Sequence, residues 1–187
     1  MQEAALDPNY ESLSWSDSDD YDQYVNEELE DSRLAKWVGL ASRLAGCSLE
    51  GKTVLDLGCG PGFFPCALGA EGAKVYGIDT SDNMLACARA NAEKRGVDAV
   101  TLHMDAESLS FPEATFDLVV TRNVTWTLPN PVAAYRECLK VLKPGGKLLV
   151  FDANWHHEFY SEAVAQKVRE NEAAYYRKTG MRTAVCT

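Results

Sequence analysis

The sequence predicts an α/β domain built on a mainly parallel β-sheet with helices on both faces. Short apolar runs typical of buried strands alternate with longer segments of helical periodicity, and such alternation indicates parallel strands joined by crossover helices. Turn signals separate these segments, as at Pro144-Gly145-Gly146. The length of 187 residues suits one domain with a sizeable core.

The first part of the chain is acidic and then helical. Residues 1–20 are polar and predict a mobile or ligand-ordered lead-in. Residues 21–45 predict one or two helices, because apolar side chains recur at helical spacing, and Gly46 fits a helix end. We therefore expect residues 1–46 to form an acidic lead-in and helical lid, and residues 47–187 to form the main domain.

The alternating pattern begins at residue 53. Strands are predicted at residues 53–57, 74–78, 99–103, 116–121 and 146–152. Helices are predicted at residues 62–70, 82–95, 131–142 and 157–178. Asp82 can cap the second of these helices and Gly96 can end it.

A glycine-rich turn follows the first strand and indicates a ligand site. Gly58, Gly60 and Gly62 lack Cβ atoms, so a ligand can approach the main chain closely, and the following helix would direct free N–H groups at it. The second strand ends in Asp79, which is placed to accept hydrogen bonds from a ribose diol. This pattern predicts a site for a cofactor that contains a nucleoside.

Two residues favour S-adenosylmethionine over a dinucleotide. The position of the third glycine in the dinucleotide fingerprint holds Phe63. Asp56 lies two residues before the first glycine, where its carboxylate would repel a pyrophosphate and attract a cation. S-adenosylmethionine has a ribose and an adenine but no phosphate, and it carries an ammonium and a sulfonium group.

Four segments, in order, resemble the motifs of the class I S-adenosylmethionine-dependent methyltransferases: DLGCGPG, YGIDTSDNML, HMDAESLSFPEATFDLVVT and LKVLKPGGKLLV. The resemblance covers about half of the chain, from residue 53 to residue 151. It implies a Rossmann-like three-layer sandwich with strand order 3-2-1-4-5. It also implies methyl transfer to a small-molecule acceptor by in-line displacement, with S-adenosylhomocysteine as the product.

The resemblance further implies which residues hold the cofactor's methionine moiety. These are Asp56 and the backbone of the glycine loop, which comprises Gly58, Cys59, Gly60 and Gly62. Cys59 has a second interpretation as a reactive thiol, but a small residue that fits a tight turn is the simpler explanation.

The adenosine part has its own expected contacts. Asp79 is expected to bind the ribose hydroxyls, Thr80 and Met84 to lie against the adenine, and Asp105 and the Ala106 N–H to contact its edge. Both aspartates could instead cap helices or form turns, and Met84 could be core filler.

Candidates for contact with the acceptor follow the fourth and fifth strands, since parallel sheets bind ligands beyond their carboxyl ends. Arg122 is a candidate cofactor ligand. Asn123 and His156 are candidate catalytic residues, although Asn123 could merely shape its turn and His156 could be an exposed residue at a helix start. Tyr21 is a candidate lid residue over the cofactor, and helix packing is the competing interpretation.

Composition limits the function classes. A formal charge of −10 argues against a surface that neutralises nucleic-acid phosphates. No stretch approaches the roughly 20 apolar residues that span a bilayer, and residues 1–12 lack the pattern of a signal peptide, so we expect a cytoplasmic protein. The six cysteines show no metal-binding spacing, and we expect reduced thiols and no metal.

Two alternatives come from other classes. A dehydrogenase that uses NAD is disfavoured by Phe63 and Asp56. A non-catalytic binding module, or a fragment that needs a partner subunit, is suggested by the short C-terminal part, because the family fold usually adds a strand hairpin after the fifth strand. A sheet that ends at the fifth strand would leave residues 147–152 as an open apolar edge, which predicts cover by residues 181–187, by residues beyond this sequence, or by a second copy in a homodimer.

Overall fold

A computed structural model describes residues 18–152 and, beyond them, positions 162–163, 166–167, 169–170, 173 and 177. The chain divides into two compact units, Met1–Phe151 and Asp152–Thr187. Beyond Asp152, the described positions of the second unit are helical and exposed, as the helix predicted at residues 157–178 requires. The other residues of that helix, and residues 181–187, lie outside the described part of the chain.

The first unit contains a five-stranded parallel sheet. Its strands are β1 (Thr53–Leu57), β2 (Lys74–Asp79), β3 (Ala99–His103), β4 (Phe116–Arg122) and β5 (Leu142–Phe151). They lie in the order β3-β2-β1-β4-β5, and every neighbouring pair is parallel. The predicted fold class and strand order are therefore confirmed. Because all five strands run in one direction, their carboxyl ends form one edge, where the candidate site lies.

Within residues 18–152, five α-helices surround this sheet. They are α1 (Ser18–Glu30), α2 (Arg33–Ala45), α3 (Phe63–Gly69), α4 (Asp82–Lys94) and α5 (Pro131–Val141). The N-terminal region forms two helices, and α1 begins inside the predicted lead-in of residues 1–20. Gly46 ends α2 in a left-handed conformation, as expected.

The prediction that Asp82 caps α4 is wrong. The cap is Ser81, whose hydroxyl accepts from the Met84 N–H at 3.3 Å. The Asp82 side chain instead lies 2.8 Å from Nδ1 of His103.

The predicted start of the fifth strand is also wrong. The strand begins at Leu142 rather than at residue 146, and it includes the segment with Pro144 and two glycines, in which Gly145 has a φ angle of 82°. Leu142 pairs with Phe116 and Lys147 pairs with Leu118, so the extra residues form an irregularity between these two pairs. The turn signal in the sequence therefore marks a bulge inside a strand.

Two apolar clusters cover the two faces of the sheet. One joins α1, α2 and α3 to the sheet, and in it Trp37 makes edge contacts with Phe63, Phe64 and Phe151. The other lies under α5 and is centred on Phe116. The first cluster fixes α1 and α2 above the glycine turn, which positions them for the site.

Three further findings concern the described residues alone. None of their helices is long and apolar enough to cross a membrane. They contain no group of three or more side chains that could hold a metal ion. Their five cysteines, Cys47, Cys59, Cys66, Cys87 and Cys138, are free.

Candidate functional site

The glycine turn between β1 and α3 needs its glycines for conformation and for space. Gly58, Gly60 and Gly62 have φ angles of 70°, 51° and 91°, in the left-handed region that other residues rarely adopt. A Cβ on Gly58 would lie 2.5 Å from the Val124 side chain, and one on Gly62 would lie 3.0 Å from Ala88. The turn is therefore packed between the segment after β4 and helix α4.

Asp79 ties this turn to the end of β2. Its Oδ2 accepts from the Gly60 N–H at 2.9 Å, and its Oδ1 accepts from the Ser81 N–H at the same distance. The Cys59 N–H donates to the Ile78 carbonyl at 2.8 Å. Two of the loop N–H groups expected to face the cofactor are thus engaged within the protein. Each Asp79 oxygen keeps a further lone pair, which can accept from a ribose hydroxyl.

Asp56 lies at the floor of the site and is 2% exposed. Burial raises the pKa of its carboxyl to about 8; the negative charge of Asp79 adds to the shift, and the guanidinium of Arg122 opposes it. A buried carboxyl of this kind is poised to pair with a cation. The Cys59 thiol is also buried, and burial raises its pKa well above its usual value. It therefore stays protonated, which supports the structural interpretation of Cys59.

A small cavity of about 20 Å³ brings together five of the predicted site residues. These are Tyr21, Asp56, Gly58, Cys59 and Arg122, and the lining also includes Val25, Pro61, Phe63 and Phe64. The acidic Asp56 and the basic Arg122 therefore lie in one cavity whose other lining residues are mostly apolar.

Helix α1 covers the turn. The Tyr21 ring lies 3.3 Å from the point where a Cβ on Gly60 would be, and burial raises the pKa of its hydroxyl although the charge of Arg122 opposes this. The next residue, Asp22, accepts from the Asn91 side chain at 2.6 Å. The same Asn91 amide donates to the Pro61 carbonyl at 2.9 Å, so it joins α1 to the turn.

Arg122 is held by residues that the sequence analysis did not identify. Its Nη2 donates to Oε2 of Glu28 at 2.6 Å, and its guanidinium carbon lies 4.6 Å from the ring centroid of Trp37 and 4.5 Å from that of Phe63. The Trp37 Nε1–H donates to the other oxygen of Glu28 at 3.1 Å. A signal for Glu28 was present, since it falls at helical spacing from Val25, on the buried face of α1.

The expected adenine contacts lie beyond β2 and β3. Met84 and Ala106 are buried, whereas Thr80 and Asp105 are exposed. Oδ1 of Asp105 accepts from the Glu107 N–H at 2.8 Å, so this aspartate also forms a turn. These residues lie outside the small cavity, along the edge that begins at Asp79.

The two candidate catalytic residues differ in what the structure says of them. Asn123 has a φ angle of 60°, and its N–H donates to the Phe151 carbonyl at 2.9 Å. It therefore shapes the turn after β4 whether or not it also contacts an acceptor. His156 lies outside the described residues.

The charged residues of the site match the charges of S-adenosylmethionine. The cavity between them, however, is too small for the amino-acid end of this ligand. Asp56 offers a carboxylate for an ammonium, and Nη1 of Arg122 is buried with no hydrogen-bond partner among the described residues. A cavity of about 20 Å³ holds about one water molecule. A larger ligand must therefore displace the Tyr21 ring from the turn.

The fold and the turn define an α/β domain of the class that binds a nucleoside cofactor at the carboxyl edge of its sheet. Residues 55–150 match the methyltransferase domain family known as Methyltransf_11. The chain belongs to this family.

Relatives with names and structures give the same picture. The chain is 36% identical over 119 residues to a ubiquinone biosynthesis O-methyltransferase of Pseudomonas entomophila, which covers 63% of this chain and 51% of the relative. A SAM-dependent methyltransferase structure from Aquifex aeolicus matches with a TM-score of 0.59 and 26% identity, over 72% of this chain and 73% of that one. The structure of the cyclase SpnF matches with a TM-score of 0.57 and 30% identity, over 61% and 43%.

The chain spans about half the length of the curated relative it matches. The similarity therefore establishes the family and the fold, and it leaves the activity of the whole protein to be proposed from the site. The match to a cyclase shows that one fold serves more than one reaction.

Proposed function

We propose that this chain binds S-adenosylmethionine at the glycine turn and transfers its methyl group to a small-molecule acceptor. The observation that carries the proposal is that buried Asp56 and Arg122 line one cavity beside the turn, next to Gly60, whose N–H donates to Asp79. An amino acid carries one charge of each sign, and this arrangement offers a partner for both. The O-methyltransferase relatives support the same activity.

The cofactor supplies an activated methyl group on a good leaving group, so the protein has mainly to align and to exclude water. In this proposal Asp56 holds the ammonium group and the Asp79 carboxylate accepts from the ribose diol. Met84, Thr80, Asp105 and the Ala106 N–H surround the adenine. Tyr21 covers the reacting end, and the turn at Asn123 faces the acceptor.

The proposal is tested in two stages with the full chain. Calorimetric titration with S-adenosylhomocysteine and with NADH should show binding of the first ligand only. Release of labelled methyl groups onto a panel of phenols, carboxylates and amines should then identify an acceptor class. Binding without transfer to any acceptor would favour a binding module over an enzyme, and binding of NADH alone would refute the proposal.

We also propose that two copies associate through β5. In the described residues β5 is an edge strand, and Val150 on it is 41% exposed. An open apolar edge favours pairing with another strand. Light scattering over a range of concentrations should show dimers that Val150→Lys weakens, whereas a wild-type monomer at every concentration would contradict the proposal. The cytoplasmic location and the absence of a nucleic-acid partner stay predictions from the sequence.

A further inference from the structure

We infer that Arg122 binds the carboxylate of the cofactor's amino-acid end through its free Nη1, and that Glu28 is the residue that positions it. This inference rests on the proposed function and assigns a specific task to a residue of the same site. It also gives α1 a role in ligand recognition, beyond that of a cover.

The guanidinium of Arg122 is fixed from three sides. Trp37 and Phe63 place their rings within 4.6 and 4.5 Å of it, and Glu28 accepts from Nη2 at 2.6 Å. Side-chain exposure is 11% for Arg122 and 4% for Glu28, so neither charge is well solvated. A planar guanidinium held in this way presents its remaining donors in one direction, as binding a carboxylate requires.

One of those remaining donors has nothing to bind. Nη1 is buried and lacks a hydrogen-bond partner among the described residues, although Nη2 of the same group is paired. An unsatisfied charged donor in a protein interior is costly, and such groups persist where a function requires them. Because Arg122 lines the cavity with Asp56, a carboxylate that enters this cavity can satisfy Nη1.

Glu28 is a positioning residue in this scheme. Its two oxygens accept from Arg122 and from the Trp37 Nε1–H, at 2.6 and 3.1 Å, so it joins the ion pair to the stacked ring. Glu28 itself is not among the residues that line the cavity. Loss of its charge would leave the guanidinium free to turn toward Asp56, the other charged residue of the lining.

The test compares two ligands that differ only in the carboxylate. The full chain is titrated by calorimetry with S-adenosylhomocysteine and with its decarboxylated analogue, in the wild type and in Glu28→Gln, Arg122→Gln and Arg122→Lys. We expect the wild type to prefer the carboxylated ligand by about tenfold or more, the scale of one charge-assisted hydrogen bond. Arg122→Gln should lose this preference, and Arg122→Lys should keep part of it.

Glu28→Gln should reduce the preference severalfold while changing the affinity for the decarboxylated analogue little. The matched controls are Glu27→Gln, at an exposed position of the same helix, and Arg136→Gln, at an exposed position of α5; both should retain the full preference. An equal loss for both ligands in Glu28→Gln would show a merely structural role and overturn the assignment of Glu28. If Glu28→Gln fails to fold, the Arg122→Lys comparison still tests the carboxylate contact.

The outcomes separate this inference from the proposed function. Wild-type protein that binds both ligands equally tightly would refute the carboxylate contact and leave cofactor binding intact. Wild-type protein that binds neither ligand would refute the proposed function, and the inference would fail with it.

Discussion

Affinity for S-adenosylhomocysteine is expected to rise with pH between 6.0 and 7.5. The ligand's ammonium group pairs best with ionised Asp56, but burial raises the pKa of that carboxyl to about 8 in the protein alone. Below that pH the ligand must bind a rare ionised form or displace the proton. Binding should therefore release a proton, and it should strengthen as the pH approaches the pKa.

The size of this effect follows from the pKa. With a value of about 8, about 1% of Asp56 is ionised at pH 6.0 and about 24% at pH 7.5. The affinity should then rise about twentyfold over this range, which corresponds to about 2 kcal/mol. Besides burial, the charged groups that act on the pKa of this carboxyl are Asp79, which raises it, and Arg122, which lowers it.

The stability of the protein alone should move in the opposite direction. The folded pKa of Asp56 lies above its ordinary value of 3.8, so the stability that the neutral carboxyl contributes is fully present below about pH 4. It is lost as the pH rises through the folded value. Asp56→Asn should therefore raise the free energy of unfolding at pH 8 more than at pH 5, as denaturant titration can measure.

The binding assay is calorimetry at several pH values, each in two buffers of different ionisation enthalpy, which gives the number of protons released. Asp56→Asn should bind weakly, with no proton release and no dependence on pH. His103→Gln is the control, since this exposed histidine contacts Asp82 at 2.8 Å and does not line the cavity. Wild-type affinity that is flat from pH 6.0 to 7.5 would refute the assigned role of Asp56.

Three further predictions concern the turn and its cover. Gly58→Ala should destabilise the protein by about 1–3 kcal/mol in thermal unfolding, because the new Cβ would overlap Val124 and the φ angle at this position is 70°. The control, Gly39→Ala, has open space around it in α2 and should be neutral or slightly stabilising. Asp79→Ala should weaken S-adenosylhomocysteine binding by about tenfold or more in calorimetry, since it removes ribose contacts and releases the Gly60 N–H; unchanged affinity would contradict the assignment. Tyr21→Ala should speed both association and dissociation of this ligand in stopped-flow experiments, and unchanged rates would show that the ring is no obstacle.

Local patterns in the sequence predicted the sheet well, because buried strands and their turns are encoded in neighbouring residues. The order of the strands came from the family resemblance and is confirmed. The start of β5 was missed because pairing with β4 already begins at Leu142, so the turn signal at Pro144-Gly145-Gly146 falls at an irregularity inside the strand. The cap of α4 was missed by one residue, since Ser81 and Asp82 are both good cap residues and the sequence does not distinguish them.

The site shows the same division between local and distant signals. Asp56 and Asp79 could be predicted because each lies near the carboxyl end of a strand beside the glycine turn, and the structure brings both to it. The ion pair between Arg122 and Glu28 could not be predicted in this way, because the two residues lie 94 positions apart in the chain. The only signal for this ion pair was an acidic residue on the buried face of a helix, and such a signal does not identify the residue that the acid contacts.

The charges of the site explain why it favours a cationic ligand, and they couple the Glu28–Arg122 ion pair to Asp56. Glu28 compensates Arg122 by direct contact, which leaves the repulsion between Asp79 and ionised Asp56 near the turn; burial is the larger cause of the raised pKa of Asp56, and this repulsion adds to it. An ammonium or sulfonium relieves this repulsion, whereas a pyrophosphate would add to it. The same reasoning predicts that Glu28→Gln leaves the charge of Arg122 less compensated and lowers the pKa of Asp56. The pH at which ligand binding reaches half its maximum should then fall in that variant. An unchanged midpoint in the calorimetric titrations would show that Glu28 and Asp56 are electrostatically independent.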